Sequence, residues 1–174
     1  MSVELWDVYS ASGEKTGKKI VRGRSSLKSG EYHLVVHIWI ISSSGDFLIQ
    51  KRAESKKLMP GEWAATGGAA VSGEDSFTAA SRELFEELGI KSDSKTLQKL
   101  FGLKRRNSLL DVYLIKTDVD VSDLRLQEAE VSRAKWVTKD ELCKMIENGE
   151  YHNYGKDYFK ELFEKTDEIR GAMV

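Results

Sequence analysis

Glu83, Glu86 and Glu87 lie within five consecutive positions, on a stretch whose apolar residues Phe77, Ala80, Leu84 and Leu88 recur at three- and four-residue steps. A helix advances about 100° per residue, so Glu83 and Glu87 sit about 40° apart and Glu86 about 60° from Glu83. All three project within an arc of about 100°, away from the apolar stripe. Like charges this close repel and weaken a helix by a few tenths of a kcal/mol per pair. A hard divalent cation reverses that penalty. Mg2+ takes carboxylate oxygens, keeps several waters and bridges to phosphate groups, so the chemistry suggested is that of a metal-assisted diphosphate site. A solvated acidic face is the plain alternative. The fixed spacing argues against it, because Gly67, Gly68, Glu74 and Arg82 precede the cluster at set intervals.

The helix that carries these glutamates has recognisable ends. Asp75 is placed to cap its start by accepting from a free backbone N–H. Gly89 is placed to end it in a left-handed conformation. Gly67 and Gly68 lack side chains, which lets backbone approach a metal or a phosphate closely. Arg82 and Glu74 are expected to form a structural ion pair that fixes the preceding loop onto the helix. Around this unit, residues 3–9 and 18–21 read as a hairpin about a turn at 12–17. The glycine spacing of that turn is wrong for a phosphate-binding loop. Residues 33–42 form a long apolar run, expected as a strand buried on both faces. Strands are also expected at 47–52, 63–66, 109–116 and 134–137, with helices at 139–148 and 156–170. Strands with helices between and after them indicate an α/β fold, a mixed sheet sandwiched between helices. The expected division is an N-terminal β-hairpin extension over 1–30, packed on a domain over 31–174.

Composition narrows the function. The 174 residues carry 27 basic and 28 acidic side chains, for a net charge of −1. Such a balance argues against a general nucleic-acid or membrane surface. No apolar run reaches the length of a transmembrane helix. Residues 1–12 are polar and acidic rather than basic then apolar, unlike a secretory signal. The single cysteine, Cys143, rules out an internal disulfide, fits a reducing cytoplasm and reads as small core filling. A cytoplasmic location follows as the expectation. Oligomeric state is open between monomer and homodimer, because the hairpin has an edge that can pair.

The combination of Gly68, Glu74 and the run Arg82-Glu83-Leu84-Phe85-Glu86-Glu87-Leu88-Gly89-Ile90 resembles the signature of the Nudix hydrolases. A chance match is roughly one in a million. The resemblance implies a Nudix fold with the motif as a loop-helix-loop. It makes Glu83, Glu86 and Glu87 the metal ligands, with the Gly67 carbonyl as a further candidate and Mg2+ or Mn2+ as the ion. The implied reaction is hydrolysis of a nucleoside diphosphate linked to another group, by attack of a metal-activated water on phosphorus. The motif does not fix the general base, which is either a motif glutamate or one on a later loop. Glu128 and Glu130 stand where such a loop residue would come, and Glu130 is the candidate carried forward.

Residues 51–63 are similar to the matching stretch of isopentenyl-diphosphate isomerases, which share the fold. That likeness makes Arg52 and Lys56 candidates for holding the substrate diphosphate, the arginine through its planar fork and the lysine as a point charge. His33 falls where the isomerase has a metal-binding histidine, but with no second histidine matching it reads first as a hydrogen-bonded strand-end residue. The isomerase chemistry itself is missing. Gly68 replaces its cysteine, Ala70 its next metal histidine, and its later glutamate pair falls near Asn107 and Leu109. The expectation is therefore an isomerase-related hydrolase of a small-molecule diphosphate. The alternatives are isomerase-like activity or a non-catalytic nucleotide-binding regulator. Trp39, Trp63, Tyr32 and Tyr113 read as core before base-stacking groups. Lys104, Arg105 and Arg106 could reach a phosphate but read first as a solvated turn.

Overall fold

A computed structural model describes residues 3–171. Residues 1, 2 and 172–174, at the outer ends of the two expected segments, lie outside the described residues. The centre of the fold is a parallel pair, β3 (His33–Ile41) and β8 (Ser108–Lys116), in register from His33 opposite Ser108 to Ile41 opposite Lys116. Both strands are rich in β-branched and aliphatic residues, and side chains alternate between faces. Leu34, Val36, Ile38 and Ile40 of β3 pack with Ala79, Ala80, Leu84 and Leu88. Those four belong to α1 (Ser76–Leu88). Trp39 and Ile41 point the other way, into a second core with Leu142 and Met145 of α2 (Lys139–Glu147) and Tyr158, Phe159 and Leu162 of α3 (Lys156–Gly171). Burial on both faces explains the unbroken apolar run of β3, and helices cover both sides of a mixed sheet.

The rest of the sheet is antiparallel to these two strands or to β4 (Phe47–Arg52). The strand expected at 63–66 is two strands. β5 (Trp63–Ala64) pairs with β4, and β6 (Thr66–Ala69) crosses to pair with β3. β9 (Val131–Val137) begins three residues earlier than expected and also pairs with β4. One strand was not anticipated: β7 (Leu97–Lys104), at the sheet edge beside β8. Its register shifts between Lys99 and Phe101, which destroys the period-two alternation that marks a strand in a sequence.

The hairpin consists of β1 (Leu5–Tyr9) and β2 (Lys15–Val21). It is fastened to the loop just before α1. Asp7 accepts from Ser72 Oγ at 2.7 Å and Gly73 N–H at 2.9 Å, and pairs with Lys15 at 2.8 Å. The Ser72 N–H donates to the Leu5 carbonyl at 2.7 Å, and Lys15 Nζ donates to the Glu74 carbonyl at 3.0 Å. Partial burial alone would raise the Asp7 pKa. Lys15 and the Gly73 and Ser72 donors outweigh it and bring the carboxyl down to about 2. Among the described residues no helix is long and apolar enough to cross a membrane.

Candidate active site

The ends of α1 are capped as the sequence indicates. Asp75 accepts from the Thr78 N–H at 2.7 Å, and Gly89, at φ 74°, donates its N–H to the Phe85 carbonyl at 2.8 Å. Between these caps, Glu87 reaches Gly67 and Glu83 lies beside Gly68, both in β6. Glu87 is buried at 3% exposure. It accepts from Gln50 Nε2 at 2.8 Å and from the Gly67 N–H at 3.1 Å. Burial first, and the Glu83 charge second, push its acid up to about 8, against the pull of Gln50, Gly67 and Arg52. Glu83 is also raised by burial, with Arg82 opposing. Glu86 is half exposed.

Arg82 organises the site. Its Nε and Nη2 grip both oxygens of Glu74 at 2.7 and 3.0 Å, and Nη2 also reaches the Ala69 carbonyl at 3.2 Å. Its Nη1 donates to Glu83 at 2.8 Å and Glu86 at 3.1 Å. Glu74 closes its own loop by accepting the Val71 N–H at 3.0 Å. The expected ion pair is thus one arm of a guanidinium that also meets two of the three expected ligands.

The two glycines do different work. A Cβ at Gly67, whose φ is 152°, would run into the Val36 carbonyl oxygen of β3. A Cβ at Gly68 would instead meet the carboxylate of Glu83. Position 68 is therefore closed to a side chain unless Glu83 moves. Gly68→Ala is expected to lower turnover about tenfold or more by displacing Glu83, with little change in melting temperature, since the obstructing atoms end a flexible side chain. Activity equal to wild type would show that Glu83 need not stay where it is.

A cavity of about 560 Å3 lies against these residues. His33, Val35 and His37 of β3 line it, with β6 on one side of that strand and β8 on the other. Gly67, Gly68, Glu83, Glu86, Glu87, Arg52 and Glu130 also line it. Arg52 donates through Nε to the Leu58 carbonyl at 3.1 Å. Lys56 and Glu130, expected in separate roles, pair with each other at 2.5 Å. His33 stacks on Trp6 of the hairpin with centroids 4.1 Å apart, and burial, then Arg22, lower its pKa to about 4. Trp39 and Tyr113 are buried in the two cores, as expected, and Glu128 is exposed outside the cavity.

Gln50 was not picked out by the sequence reading. The signal was present, as an amide inside the apolar run of β4 that is 1% exposed in the fold. A polar side chain in such a place needs a partner, and here the partner is Glu87.

Among the described residues no three acidic, histidine or cysteine side chains converge tightly enough to enclose a cation, because Arg82 draws Glu83 and Glu86 to itself. The donor set nonetheless suits one. Burial raises the acids of both Glu83 and Glu87, the Glu83 charge adds to the rise at Glu87, and a hard cation relieves that cost with oxygen ligands.

Comparison with known proteins agrees with this fold. A family model described as the NUDIX domain matches residues 31–159. An uncharacterized Nudix hydrolase of Listeria monocytogenes is 40% identical over 153 residues, covering 87% of this chain and 90% of that one. Nudix hydrolase 3 of Arabidopsis thaliana is 35% identical over 155 residues, covering 81% of this chain but 20% of that much longer protein. A solved structure from Deinococcus radiodurans superposes with a TM-score of 0.75 at 26% identity, covering 86% of this chain and 93% of that one.

Proposed function

The chain belongs to the Nudix family of hydrolases, and from that premise we propose that it is a Mg2+-dependent enzyme. It cleaves the diphosphate bond of a nucleoside diphosphate linked to another group, or of a related organic diphosphate. The observation that carries this reading is the pairing of buried Glu87 with Glu83 beside Gly67 and Gly68, on the wall of a cavity that also presents Arg52.

Glu83, Glu86 and Glu87 would hold the ion, with the Gly67 carbonyl as a further ligand. When bound, Mg2+ would neutralise phosphoryl charge and lower the pKa of a coordinated water. Gln50 and the Gly67 N–H keep Glu87 oriented. Arg82 fixes Glu83 and Glu86 and ties them to the loop through Glu74. Arg52, which meets no carboxylate within ion-pair distance, binds the diphosphate through the rest of its guanidinium. Lys56 joins it by leaving Glu130, and that exchange frees Glu130 to accept the proton of the attacking water. Glu130 lines the cavity and Lys56 stands behind it, in a partly exposed pair whose side chains have room to rotate.

The isomerase alternative is opposed by the space at Gly68, where a cysteine side chain would collide with Glu83. The test is phosphate and nucleotide release from nucleoside di- and triphosphates, nucleotide sugars, dinucleotides and isoprenoid diphosphates with Mg2+. Turnover of one class, abolished by a chelator and restored by Mg2+, is the expected result. Folded protein that cleaves none of them would sink the hydrolase reading and favour a nucleotide-binding regulator.

A further inference from the structure

Four arginines line the cavity, and two of them are neutralised. Arg22 pairs with Glu4, and Arg82 with Glu74, Glu83 and Glu86. Arg52 is accounted for by the diphosphate. Arg105 is not. It enters from the turn between β7 and β8, on the side of β3 opposite β6. Its backbone N–H is used by the Ser108 carbonyl at 2.8 Å, but its guanidinium makes no ion pair and no hydrogen bond among the described residues. Instead the guanidinium carbon lies 5.9 Å from the centre of the Tyr154 ring.

Tyr154 is a fixed platform. Its hydroxyl accepts the Ala65 N–H at 3.1 Å, and its ring packs against His37 at 4.6 Å and Tyr158 at 4.9 Å. A cation over an aromatic face gains about 0.5–2 kcal/mol. That contact orients the fork but leaves its N–H donors without acceptors. A half-buried guanidinium held this way, in a cavity that also carries the three glutamates, is a preorganised anion receptor. His37 and Ser108 line the same part of the cavity, and their polarity is poorly suited to a hydrocarbon chain.

We propose that Arg105, braced on Tyr154, binds an anionic group of the substrate beyond the scissile diphosphate. The chain would thus select multiply charged polar diphosphates over hydrocarbon ones. The proposal rests on the diphosphate-hydrolase reading only for where the scissile diphosphate lies.

Equilibrium titration with ATP, ADP and isopentenyl diphosphate tests it, with Ca2+ replacing Mg2+ to suppress turnover. Wild type is expected to bind ATP about ten- to a hundredfold more tightly than ADP, the scale of one charge-assisted contact. Isopentenyl diphosphate should bind no better than ADP. Arg105→Gln should erase the ATP preference while leaving ADP affinity within about twofold, and Arg105→Lys should restore part of it. A wild type with no ATP preference, or an Arg105→Gln variant that keeps the preference or weakens all three ligands equally, would overturn the assignment. The two readings fail separately. A protein that shows this pattern yet cleaves nothing with Mg2+ keeps Arg105 and loses the hydrolase, and an active enzyme indifferent to Arg105→Gln does the reverse.

Discussion

Glu87→Gln is expected to abolish turnover, by about a thousandfold or more, and to make the metal-free protein more stable at alkaline pH. The first effect follows from removing one charge of a preorganised electrostatic site. The second follows from linkage. Burial and the Glu83 charge raise the folded-state pKa of Glu87 to about 8 from the ordinary 4.5 of a glutamate. A raised pKa means that the folded state holds the proton more tightly than the unfolded one. Its contribution to stability is full below the unfolded value, declines as pH rises and is lost through about 8. Glutamine cannot ionise and removes that decline, while its carbonyl oxygen can still accept from Gln50 and Gly67. Above pH 8 the variant should therefore exceed wild type by a few kcal/mol without metal. Mg2+ should narrow the gap, because ligation favours the ionised carboxylate and releases its proton. Chemical denaturation of both proteins at pH 5 and pH 9, with chelator and with Mg2+, reads the gap under all four conditions. A variant no more stable than wild type at pH 9 in chelator would show that Glu87 is not held against its charge.

Arg82→Ala is expected to cost about 3 kcal/mol of stability or more, and most of the activity. The substitution leaves Glu74 and Glu83, both largely buried, without the cation that balances them. Breaking a buried pair from one side typically costs 3–5 kcal/mol, because the remaining charge stays desolvated. Arg82→Lys should recover little of this. One ammonium cannot reproduce two bonds to Glu74 together with those to Ala69, Glu83 and Glu86. Double substitution with Glu74→Gln supplies the control. If Arg82 acts through Glu74, the two losses should combine to less than their sum. Full additivity would mean that the fork serves the helix glutamates alone.

Parts of this site governed by local physics could be read directly from the chain. The cap at Asp75, the left-handed stop at Gly89 and the glutamate arc depend on residues within one helix, and spacing alone specifies them. The Arg82–Glu74 pair was legible for the same reason, since its members lie only eight positions apart. Gln50 was not legible, and Arg105 was legible only as one of three cations in a turn that could reach a phosphate. Each reaches the site from a distant strand or turn, and only the strand register brings it there. Lys56 and Glu130 were named as separate functional groups, yet their pairing depends on the loop before β9 folding back on the loop after β4. β7 was missed because its bulge breaks the pattern by which strands announce themselves.

The parallel alignment of β3 with β8 sets a timetable for making the protein. Antiparallel neighbours can zip from a short turn, but these two strands are joined by a long stretch of chain that contains α1 and its whole carboxylate cluster. Closing such a loop costs entropy before any contact repays it, and non-local strand pairing slows folding into the millisecond-to-second range. On the ribosome, the central pair cannot form until residue 116 has left the exit tunnel. Until then α1 has no completed sheet to pack on, and Arg105 has no cavity to enter. Hydrolytic competence should therefore arise late and abruptly during synthesis rather than accumulate as the chain grows.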